Sequence, residues 1–254
     1  MKLPTLPLSL AVVFVCFFLA DAQSRKPVPA SRPAAINIRG NGKTAVVIDE
    51  NLSLLRSKPS LFADAFQRMR RGRRVQILGS QEADGVVFYK VSVPPANLGW
   101  LQSDAVFAKF RASDEERFAR LVQAADGFDR VELAAEFLEL YSESRFRAPI
   151  LLLFGDLLED AAAKLSRDAG SRLSRREMAA SGAPMHSFYL NFKMLDRYRR
   201  LGVTFLFNSS TRLFHYNGAS WREIVRKHAA AAETPEAQRR LDSLVLKLET
   251  RAAS

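Results

Sequence analysis

The feature that most constrains this fold is a change of period near Ser113. Ahead of it, apolar residues fall in short alternating runs over 44–48, 52–56, 74–79 and 86–93, as half-buried strands require. Asp49-Glu50-Asn51, Ser57-Lys58-Pro59-Ser60 and the segment 80–85 break those runs. Asp84-Gly85 is a hairpin-turn pair, and Pro94-Pro95 predicts a loop or sheet edge, because proline lacks the amide donor a ladder needs. Behind Ser113 the apolar residues recur every three or four positions, the period of a helix. Strands followed by helices define an α+β class. The expectation is a small β-barrel over 44–107 followed by an all-α domain over 108–254.

The strand-forming half carries a second signal. Leu52-Ser53-Leu54-Leu55-Arg56-Ser57-Lys58-Pro59 is followed by the basic segment Gly72-Arg73-Arg74-Val75-Gln76-Ile77-Leu78 and later by Gly99-Trp100-Leu101. In this order the motifs resemble the bacterial SH3 (SH3b) family, with Leu55 at a position that is valine in the family and Ser53 at one that is leucine. The resemblance implies an SH3-like barrel with a long loop over 59–68 and a closing turn at Ser103-Asp104-Ala105-Val106. It also implies a binding module for peptidoglycan or peptide, of the kind carried by exported envelope proteins.

Candidate ligand-binding residues are Arg56, Phe62, Arg71, Arg73, Arg74, Tyr89 and Trp100. Trp100 fits either a ligand platform or a partly packed strand start. Phe62 and Phe66, four apart, fit one face of a helical turn covering the barrel as well as a ligand surface. The arginines around 68–74 can grip carboxylates or phosphates through bidentate contacts. They can equally form a solvated hairpin edge that discourages sheet-to-sheet pairing.

In the helical half, Ser113-Asp114-Glu115-Glu116 has the S-x-x-E form of a capping box. Asp129 is a candidate cap for a helix over 131–141, and Pro149 suits the first turn of another over 147–165. The stretch 134–144 resembles the end of a tetratricopeptide-like (TPR-like) helix with its turn, and 216–248 resembles a second copy. An irregular helical domain is the alternative. The segment 167–184 reads as a frayed helix and loop. The apolar runs either side of Asn208-Ser209-Ser210-Thr211 predict an inserted β-hairpin near 202–217.

The N-terminus bears on location. Lys2, an apolar run over 8–19 and Ala20-Asp21-Ala22 match a secretory signal peptide over 1–22, cut between Ala22 and Gln23. The run is short for a membrane span, so no transmembrane helix is expected in the mature chain. Cys16, the single cysteine, lies inside it; cleavage leaves no thiol for a disulfide, nucleophile or metal. The segment 23–43 holds five basic residues, no acidic ones and several prolines, which reads as a flexible basic linker. The net charge of +11 suits anionic wall polymers, lipid headgroups or acidic partners. Export argues against nucleic acid.

No catalytic, cofactor or metal residues are assigned. His186, His215 and His228 lack metal-ligand spacing. Glu136 and Glu139, like Asp156, Glu159 and Asp160, read as solvated helix faces. The expected protein is therefore an exported, periplasmic or extracellular scaffold without enzymatic activity. Its barrel would dock to a cell-wall polymer or peptide, and its helices would recruit a protein partner. The alternative is a non-catalytic subunit or a divergent peptidoglycan-acting hydrolase.

Overall fold

The computed structural model describes residues 43–249. The expected signal peptide, its cleavage site Ala22/Gln23 and the basic linker up to residue 42 lie outside them. The class is α+β, as the change of period requires. Seven strands come first: β1 (Lys43–Val47), β2 (Leu54–Arg56), β3 (Ala65–Arg68), β4 (Arg74–Ala83), β5 (Val86–Val93), β6 (Asn97–Gln102) and β7 (Val106–Phe107). They form one antiparallel sheet in the order β3-β2-β6-β5-β4-β1-β7. That order has two ends and no ladder joining them, so the closed barrel is not shown.

Several strands lie where alternation puts them. Asp84 and Gly85 have φ of 55° and 74°, the left-handed pair of a tight hairpin turn, and β4 and β5 run right up to them. The predicted loop over 80–85 is thus only two residues long. The expected long loop over 59–68 is also shorter, because Ala65–Arg68 pairs with β2 as an extra strand. Phe62 and Phe66 therefore do not share a helical face. Phe62 lies in a turn, and Phe66 is the residue inserted where the β2–β3 register shifts.

The helices follow as α1 (Asp114–Ala124), α2 (Gly127–Leu140), α3 (Arg147–Arg172), α4 (Arg175–Ser181), α5 (Met185–Leu190) and α6 (Asp196–Arg199). A hairpin of β8 (Phe205–Asn208) and β9 (Leu213–Tyr216) precedes α7 (Ala219–Lys227) and α8 (Thr234–Glu249). The hairpin sits where the two apolar runs predicted it. Two helix starts differ from expectation. Ser113 has helical backbone angles and makes no side-chain cap, while α2 starts at Gly127, four residues ahead of 131. The segment 167–184 is also more ordered than read: α3 continues to Arg172 and α4 occupies much of the remainder.

Strand β1 joins the two halves of the core, because both of its faces are buried. Ala45 and Val47 pack with Leu55, Val75, Val91 and Leu101 inside the sheet. Val46 and Ile48 pack with Phe107, Phe118, Phe137 and Leu133 among the helices. Rings of Phe107 and Phe118 lie 5.0 Å apart, and those of Phe118 and Phe137 meet edge-on at 5.5 Å. Among the described residues, no helix is long and apolar enough to cross a membrane.

Candidate functional site

Around Trp100, away from β1, the sheet has one face on its own core and one turned outward, and strand register decides which residues share the outer one. Arg56 of β2 is directly opposite Trp100 of β6, and Trp100 is directly opposite Lys90 of β5. These three make a cross-strand row with a half-buried indole between two cations. Ala65 and Gly79 lie at the ends of the row, and nothing stands within 4 Å of where a Gly79 side chain would begin. Leu98, two residues before Trp100, lies on the same face and is 58 % exposed. Gly99 between them faces inward, where its bare Cα lets Leu55 approach: a Cβ there would meet Leu55 Cγ at 2.7 Å. Glycine before tryptophan in this motif thus has a packing reason.

The turn between β2 and β3 borders the row at its Arg56 end. Arg56 Nη1 donates to the Ala63 carbonyl at 2.7 Å. Asp84 Oδ2 accepts from Ser60 Oγ at 2.7 Å and from the Leu61 amide at 2.8 Å, and those bonds hold its carboxyl below the usual value. Pinned from two sides, the turn presents Phe62 at 90 % exposure. Phe66 and Leu78 are also more than half exposed. Large apolar side chains are thus left in water beside two cations.

The other candidate residues are placed elsewhere. Tyr89 is on the opposite face, paired with Leu101, buried, with the Arg111 guanidinium 5.7 Å from its ring centre. The arginine cluster is largely engaged within the molecule. Arg71 Nη1 meets Glu132 at 3.0 Å and Asp129 at 3.6 Å, while its Nε donates to the Ile48 carbonyl. Arg74 pairs with Glu139, Arg73 donates to the Pro94 carbonyl, and Arg68 donates to the carbonyls of Glu50 and Asn51. Arg70 is exposed. Glu136 lies against Gly72; burial and then Glu139 raise its carboxyl, against the pull of Arg74. The basic segment and the acidic stripe of α2 therefore meet each other, with Arg71 and Glu136 partly buried and Arg74 and Glu139 still exposed.

Glu159 is likewise no solvated carboxylate. It accepts from Lys247 Nζ at 2.8 Å and the Tyr216 amide at 2.8 Å, and stands 3.1 Å from His215 Nδ1. Burial pushes its pKa up, but these partners outweigh burial and hold it at about 2. The network ties α3, β9 and α8 together. Replacing Glu159 by glutamine is expected to cost about 2–3 kcal/mol at neutral pH, since a partly exposed charged network loses its acceptor. A lowered carboxyl stabilises the fold above its ordinary value of 4.5 and stops doing so as pH falls through its native value. Urea unfolding of both proteins should thus show the gap narrowing between pH 4.5 and 2. An equal gap at both ends would refute the assignment.

Sequence reasoning passed over Lys90, Leu78 and Leu98. The signal was there in the alternation of β5 and β6, but the register that puts Lys90 beside Trp100 belongs to the sheet. Among the described residues no group of three or more His, Cys, Asp or Glu is placed to hold a metal ion. No protein-family model matches this chain, and neither a curated protein nor a solved structure was found that resembles it.

Proposed function

We propose that this chain is an exported, non-catalytic binding protein of the cell envelope, with an SH3b-like module that docks to a wall polymer or peptide. The observation that carries the reading is the Arg56–Trp100–Lys90 row, with Leu98, Leu78 and Phe62 around it. An indole stacks on sugar rings or on apolar peptide side chains, and flanking cations attract peptide or wall carboxylates. The order of the SH3b-like motifs and the signal-like N-terminus support the same reading. The helical half, TPR-like in this proposal, recruits a protein partner; Val245 and Leu246 on α8 are exposed apolar side chains suited to that role.

Co-sedimentation of the full chain with purified peptidoglycan across a salt series tests the wall-binding half. Retention should persist at high salt, which screens the generic attraction of a +11 chain to an anionic polymer. Trp100→Ala is expected to weaken retained binding about 30-fold, the loss of a central aromatic anchor of about 2 kcal/mol. Lys90→Glu, on an exposed side chain, should weaken it without a change in melting temperature. Loss of wild-type binding at moderate salt, or wild-type affinity in both variants, would rule out this surface.

A further inference from the structure

A cavity of about 600 Å³ lies away from the seven-stranded sheet, where the end of α3 meets α5 and the 3-10 turn after it. Its size falls in the range of small-molecule sites. Leu173, Ala183, Phe188 and Phe192 supply apolar walls, Ser187 and Asn191 add neutral polar groups, and Arg172 and Lys193 supply charge. No carboxylate is among the lining residues. Arg172 and Lys193 make no ion pair or side-chain hydrogen bond within the described residues. This sets them apart from neighbouring Arg199, which pairs with Asp196 at 3.0 Å.

Two unpaired cations on an apolar cavity select a particular chemistry. A neutral apolar ligand would leave both charges unused. A small hydrophilic anion would leave the phenyl walls wet. We propose that this cavity binds a single-chain amphiphile with a carboxylate head, its tail against Phe188, Phe192 and Leu173 and its head between Arg172 and Lys193. Cavity and cations together carry the proposal: burial of the tail provides affinity, and the two cations orient the head. The site is separate from the Arg56–Trp100–Lys90 row and does not depend on how that row is read.

The test is titration of the ¹⁵N-labelled full chain with decanoate below its micelle concentration, followed by amide shifts. Saturable changes confined to 172–173 and 183–193 are expected. Uncharged 1-decanol should bind about tenfold more weakly or less, and the double variant Arg172→Gln/Lys193→Gln should lose about tenfold for decanoate, since each lacks the charge-assisted contacts. Both substituted side chains are exposed, so the fold is not at stake. Ala183→Trp, which fills the cavity from an exposed position, should abolish the shifts. Absence of saturable shifts, or equal binding of decanoate by the wild type and the double variant, would overturn the proposal.

Discussion

Replacing Asp114 by alanine is expected to destabilise this protein by about 3–5 kcal/mol, the cost of stripping a buried charge of its partner. Asp114 is the first residue of α1 and is wholly buried. Its Oδ2 accepts from the Ala108 amide at 2.9 Å and from Arg111 Nε at 2.6 Å, and its Oδ1 lies 3.4 Å from Arg117 Nη1. The held guanidinium of Arg111 donates in turn to the carbonyls of Ser103 and Val106. One carboxylate thereby fixes the passage from the last strand of the sheet to the first helix. Alanine leaves the Ala108 amide without its acceptor and a partly buried guanidinium without its counter-charge. Asparagine retains an acceptor and should cost less. Urea unfolding followed by circular dichroism measures both, and a loss below about 1 kcal/mol in the alanine variant would show the passage is held by apolar packing instead.

Gly155→Ala should cost about 3 kcal/mol, although alanine is the better helix former by about 1 kcal/mol. Gly155 lies in the first half of α3, where α7 packs on it. A Cβ there would come within 2.6 Å of Trp221 Cε2 and 2.7 Å of Ser220 Oγ, with Trp221 Nε1 nearer still. Trp221 is 1 % exposed and meets the Tyr216 ring edge-on at 5.4 Å, so it has nowhere to move. Gly170 on the same helix is the control: no atom lies within 4 Å of its Cβ position, and Gly170→Ala should stabilise by up to about 1 kcal/mol. In a Trp221→Leu background the cost at Gly155 should shrink, with only the Ser220 Oγ contact left, a coupling that a double-mutant cycle reads directly. Equal effects at the two glycines would mean the helix crossing is not set by Gly155.

Much of the architecture was legible in the chain because period and turn chemistry act over a few residues. The alternation at 86–93 became β5 with the same ends, and Asp84-Gly85 became its turn. The apolar runs around Asn208 became β8 and β9. Ala65–Arg68 escaped because a four-residue strand with a bulge at Phe66 shows no clean alternation. The Ser113 capping box failed for a different reason. Asp114, one residue on, is drawn inward by Arg111 and the Ala108 amide, and the start of the helix follows it.

The site was half legible. Arg56 and Trp100 were named from a motif, but their neighbour Lys90 needed the register of three strands. Arg71 and Arg74 looked available because their partners are far along the chain: Glu132 is 61 residues from Arg71, and Glu139 is 65 from Arg74. Lys247 lies 88 residues from Glu159.

By itself, the sequence determined where strands give way to helices, where the tight turns fall, and which residues are apolar enough to form a core. Those properties rest on backbone sterics and on a spacing of two or 3.6, both local. Which charges are consumed in pairs and which stay unpaired was settled by the packing of the sheet against the helices. A carboxylate and a guanidinium look the same in the chain whether they face water or each other, and their fate depends on distances that exist only once the sheet has packed against the helices.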